Sequence, residues 1–164
     1  QLKEFENSKL EELLKFHVDR HEKYNTFISF IDIIKGLYLD ALNKMKSGRD
    51  INKYITPYGK NVAPILQDMI VDNHYKHEEF KSLDAVRAKG YSENFEYGKS
   101  VAAYASELSE MTKNKRVIGP RTRLNLRKKA NQLSQKLLTE GREYSESLSA
   151  QIETIRADYK KSNL

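Results

Sequence analysis

Cysteine is absent from all 164 residues, which excludes disulfides, thiolate catalysis and zinc sites built on sulfur. Proline and glycine are scarce, at three and seven residues, so few places force a helix to stop. No segment alternates apolar and polar residues long enough to predict a strand, and no apolar run approaches the ~20 residues that a membrane-crossing helix needs. Phosphate-cradling glycine loops, nucleophile elbows and dinucleotide fingerprints are missing, and Gly119-Pro120 is a turn rather than a P-loop. The Glu-x-x-His pair of di-iron helix bundles is lacking as well. No catalytic residue and no cofactor is therefore expected.

What the chain does hold is charge and helical periodicity. Charged residues make up 32% of it and hydrophobic ones 38%; the charged share exceeds the usual ~25%. Long, surface-laced helices in a single domain over residues 1–164 follow. The first stripe is Leu10, Leu14, His17, His21, Tyr24, Ile28, Ile31, Ile34, Tyr38, Leu42 and Met45, a 3.5-residue period like a coiled seam. Lys44 to Gly48 stops it, and residues 48–61 form a connector holding one short turn from Asp50 to Tyr54. Asn61 reads as the N-cap of a second helix, with Pro64 in its first turn. That helix either ends near Ser82 or continues to a Gly90 stop, and a third begins after a Ser92 cap. Pro120 opens the last helix, whose stripe runs Leu126, Ala130, Leu133, Leu137, Gly141, Tyr144, Leu148, Ile152, Ile155 and Tyr159. Its spacing repeats every eleven residues, unlike the first stripe, so the two long helices are not expected to pair as one continuous coiled coil. The fold class is all-α, an elongated antiparallel bundle of about four helices with the first and last longest.

Basicity is local. Between Glu110 and Glu140 lie Lys113, Lys115, Arg116, Arg121, Arg123, Arg127, Lys128, Lys129 and Lys136 without one acid. Since the formal charge is +6, these nine cations leave the rest of the chain at −3. Excess charge of one sign in one place marks a surface that meets a partner of the other sign. The first eight of them are the candidate anion- or partner-binding residues. Arg123 and Arg127 fall on the face away from Leu126 and Leu133, which predicts solvent exposure. Cations at the positive start of a helix are disfavoured, and docked phosphates or carboxylates would offset that. Aromatics are not interleaved with the cluster, so base stacking is unsupported, and binding through it would be salt-sensitive backbone contact. A solvated, partnerless bundle end is the competing account.

Four histidines form two helix-spaced pairs, His17/His21 and His74/His77, the arrangement a transition metal takes from one helix face. Laid out as a hairpin from Met45 to Val62, the chain puts the two pairs at different levels, about 14 Å apart. Partly buried histidines with ordinary hydrogen bonds are the better expectation. Tyr54, Tyr58, Tyr91 and Tyr97 fall in or beside connectors and are candidates for an aromatic partner surface.

The function expected from the sequence is a non-enzymatic binding or scaffold module that contacts another macromolecule. Protein partners, self-association, an anionic polymer, nucleic acid backbone and anionic lipid all remain open. Ile152, Ile155 and Tyr159, if they project beyond a four-helix body, would need cover from a second copy. The alternatives are an exported, envelope-associated ectodomain of lipoprotein type anchored upstream of Gln1, to which the reading leans for localisation, and a histidine-based metal-dependent enzyme.

Overall fold

The structure, a computed structural model, describes residues 2–162, and among them there is no strand. Helix α1 runs Leu2–Lys44, α2 is the short Ile51–Tyr54, α3 is Ala63–Phe80, α4 is Ala85–Lys113 and α5 is Pro120–Ser162. The first and last helices hold 43 residues each, so each rod is about 64 Å long. Chain direction alternates through α1, α3, α4 and α5, an up-down-up-down bundle. Lys23 with Asp72 and Lys76 with Asp19 tie α3 antiparallel to α1. Gly90 beside Phe16 and Gly98 beside Phe27 set α4 parallel to α1.

The first and last helices pair along nearly their whole length despite their different stripe periods. Arg127 reaches Asn43, Ser145 reaches Asn25 and Tyr159 reaches Glu11, a constant antiparallel register. The stripe on α1 serves α4 as well as α5, so it is not a two-helix seam whose pitch must match. Ile152 and Ile155 are consequently buried, and the Tyr159 ring is half-buried with its hydroxyl on Glu11. Their expected need for a second copy lapses.

Three boundary expectations are corrected. Asn61 is not a cap. Helical backbone resumes before it, passes through a π turn at Tyr58–Val62 and enters α3 with Ala63 N–H donating to Tyr58 O. The wide turn sits directly ahead of Pro64, whose ring and missing amide disturb regular α pairing. Gly90 and Ser92 do not separate helices either; both lie inside α4. The break comes at Lys81–Leu83, after which the Asp84 carboxylate accepts from the amides of Val86 and Arg87, satisfying two of the donors a helix start leaves open. Gly90 is a notch: a β-carbon there would stand 2.5 Å from the Phe16 ring.

The core joins Tyr24, Phe27, Ile31, Tyr38 and Leu42 of α1 to Leu66 and Ile70 of α3, Tyr97, Val101, Tyr104 and Leu108 of α4, and Leu126, Leu138 and Leu148 of α5. Between α4 and α5 two tyrosines act as struts. The Tyr97 hydroxyl donates to Leu137 O at 2.7 Å and the Tyr104 hydroxyl to Ala130 O at 3.0 Å. Gly141 makes room for the first, since a β-carbon there would collide with that hydroxyl, and Ser134 adjoins the second. Tyr91 and Tyr97, expected at connectors, are thus buried residues of α4.

Candidate functional site: a basic bundle end

Antiparallel alternation brings the C-termini of α1 and α4 and the start of α5 to one end of the bundle. Two backbone hydrogen bonds lock the turns there: Gly48 N–H donates to Lys115 O at 2.7 Å, and Ile118 N–H to Lys46 O at 2.8 Å. Gly48 lies against the backbone of Thr112 so closely that no side chain fits. The Tyr38 and Thr112 hydroxyls bond beneath, buried. Burial raises the Tyr38 pKa, with the Thr112 contact opposing it, so the phenol is a neutral partner.

The sequence candidates divide here. Arg123 is a structural residue, contrary to its expected exposure. Its Nε donates to Leu42 O at 2.7 Å, and its Nη2 to Met45 O and Ile118 O at 3.3 and 3.2 Å. One half-buried guanidinium thereby satisfies carbonyls that the end of α1 leaves open, and α1's negative terminus offsets the expected penalty for a cation at the start of α5. Arg127 spends one donor on the Asn43 side chain at 3.0 Å. Lys113 pairs with Glu110 at 3.0 Å, three residues before it on an exposed face. Lys115, Arg116, Arg121, Lys128 and Lys129 are exposed, and among the described residues no carboxylate lies in salt-bridge range of any of them.

The structure adds cations that the acid-free window did not contain. Lys44, Lys46 and Arg49 come from the end of α1 and its following turn; all three are exposed, and no carboxylate among the described residues pairs with them. Residues 44–50 and 110–121 together carry seven cations against two carboxylates, Asp50 and Glu110. The sequence signal was available, since antiparallel pairing of the first and last helices puts Lys44 beside the start of α5. Reading Lys44 and Lys46 only as a helix stop concealed it. Apolar residues are interspersed: Val117 is 74% exposed and Leu124 48%.

The histidine pairs come to nearly one level of the bundle. Because helical backbone resumes before Asn61, the register of α1 and α3 differs from the hairpin estimate. The Asp19–Lys76 and Lys23–Asp72 pairs set His21 level with His74. Three of the rings are nonetheless engaged separately. Nδ1 of His77 is 2.8 Å from Ala88 O, His74 packs on Phe95 and buried His17 on Phe16. Burial, then the neighbouring Arg20 charge, lowers the His17 pKa. No group of three or more His, Asp or Glu side chains among the described residues is arranged to hold a metal ion.

Where α1 meets α3 and α4 in the middle of the bundle, charged groups are closed on one another. Asp19 accepts from Tyr91 at 2.9 Å and Lys76 at 3.2 Å, and Arg20 holds Glu93 at 2.8 Å and Asn94 at 3.1 Å. Burial alone would raise the Asp72 pKa, but the hydrogen bond and charge of Lys23 and the charge of Lys76 outweigh it and leave it lowered. No helix among the described residues is long and apolar enough to cross a membrane. Comparison with protein-family models, curated protein sequences and solved structures gave no match.

Proposed function

We propose that the protein is a non-enzymatic docking module that uses the basic end of its bundle to hold an anionic macromolecule. The observation that carries this reading is the gathering of exposed, carboxylate-free cations from three separate chain segments, Lys44–Arg49, Lys115–Arg116 and Arg121–Lys129, onto one end. Collecting like charges raises the self-energy of the fold, and a polyanion lowers it again. The contrast with the middle of the bundle supports the reading, because there Arg20 and Lys23 of α1 each meet a carboxylate. Two backbone hydrogen bonds and the inward-bonded Arg123 fix the turns that display the cations, so the display does not depend on the exposed charges themselves.

Retention on heparin tests it. The protein is expected to bind and to elute with added salt, since such contacts release counterions. A variant with Lys115, Arg116, Arg121, Lys128 and Lys129 changed to Gln is expected to flow through while keeping its circular-dichroism spectrum. Equal retention of the folded variant refutes the reading. Arg123 is left out of the set because its loss would disturb the end of α1.

A further inference from the structure

The apex of the basic end is not purely charged. Between the pinned residues Lys115 and Ile118 stand Arg116 and Val117, both exposed, and Val117 keeps 74% of its surface. Ile118 turns inward to 4%, so the turn already places one aliphatic side chain in the core and presents the next to water. The first turns of α5 repeat the mixture. Arg121, Leu124 and Lys128 follow at steps of three and four and share a face, with Leu124 48% exposed. A soluble polyanion gains from the cations and nothing from two aliphatic side chains among them. A bilayer surface gains from both, since anionic headgroups attract the cations while protruding apolar groups enter the boundary below.

Resting on the docking reading above, we propose that the anionic partner is a lipid bilayer surface, met end-on, with Val117 entering the headgroup layer and Lys46, Arg49, Arg116 and Arg121 around it on lipid phosphates. The fold suits this in a second respect. The apex turn is tied to the 46–48 turn by two backbone bonds, so it is presented as a rigid point and loses little freedom on contact. The rods stand behind it, and none of them is apolar enough to follow it into the membrane.

Sedimentation with vesicles of phosphatidylcholine, alone or mixed with phosphatidylglycerol, tests the proposal, with heparin retention measured on the same preparations. The wild-type chain is expected to pellet with the mixed vesicles only. Arg116→Gln with Arg121→Gln is expected to weaken vesicle binding about five-fold per cation removed and to shift heparin elution as well. Val117→Ser keeps every charge; it is expected to weaken vesicle binding about ten-fold and to leave heparin elution unchanged. These positions are exposed, and thermal melting confirms that the variants fold. If wild type binds heparin but not mixed vesicles, or if Val117→Ser binds vesicles as wild type does, the bilayer proposal is overturned and the docking reading survives. If wild type binds neither, both fail.

Discussion

The middle of the bundle and its basic end both hold several cations close together, but they dispose of the charge differently. In the middle, Arg20 is buried against Glu93 and Asn94, and Lys23 and Lys76 share Asp19 and Asp72 between α1 and α3. At the end, Lys46, Arg49, Lys115, Arg116 and Arg121 are exposed, with no carboxylate among the described residues in range. Lys76 makes the contrast concrete: burial works against its charge, yet the charge and hydrogen bond of Asp19 raise its pKa. Where charge holds helices together it is closed on itself, and where it is left open it is available to something outside.

The comparison breaks hardest at Arg20. Replacing it with Ala leaves Glu93 without its partner and removes the bond to Asn94, for an expected loss of about 3 kcal/mol, read as a lower urea midpoint. A midpoint within experimental error of wild type would mean the pair contributes nothing. Arg123 comes next, as the member of the basic cluster that belongs with the paired region. Arg123→Ala is expected to cost about 2 kcal/mol, because the carbonyls of Leu42, Met45 and Ile118 lose a charged donor. Heparin elution changing more than the melting temperature in that variant would return Arg123 to the docking set.

A smaller effect follows from His17. Burial first and Arg20 second lower its pKa in the fold from 6.5, so below that value the unfolded chain takes up the proton more readily than the folded one. Stability is then full above about pH 6.5 and declines as pH falls through it, by at most about 1.4 kcal/mol per unit. Melting curves down to about pH 5.5, above the carboxylate range, are expected to show the decline and His17→Gln to flatten it. An unchanged slope in the variant would assign it to another group. The smallest effect is expected at the open end: Lys115→Gln with Arg116→Gln should leave the melting temperature within about two degrees or raise it, since only like-charge repulsion is removed. A clear drop would show that those cations have partners inside the fold.

Helix identity and core stripes were legible in the sequence because periodicity records which face is buried. Leu126, Ala130, Leu148, Ile152 and Ile155 are all buried as their spacing predicts. Helix ends were harder, because one residue type serves two purposes. Gly90 resembles a stop but is a packing notch for Phe16, and Ser92 resembles a cap but lies within α4, while Asp84 does the capping. The level of the histidines was misplaced because a π turn carries helical backbone through Gly59 and up to Pro64. The candidate site was half legible. Its α4–α5 portion is contiguous in sequence, whereas Lys44, Lys46 and Arg49 join it only through antiparallel packing. The role of Arg123 depends on carbonyls about eighty positions away, which no local pattern encodes.

The tyrosine struts imply that α5 has one longitudinal seat. Slipping the rod by a turn would bring Leu137 or Ser145 against Tyr97 in place of Gly141, and Ala130 or Leu138 against Tyr104 in place of Ser134. The first would collide and the second would lose the Ser134 hydroxyl beside the phenol, so an axial tug on α5 is handed across to α4 instead of being lost in sliding. Whatever grips the start of α5 therefore pulls on the whole body at once, and the bundle behaves as a single stiff lever.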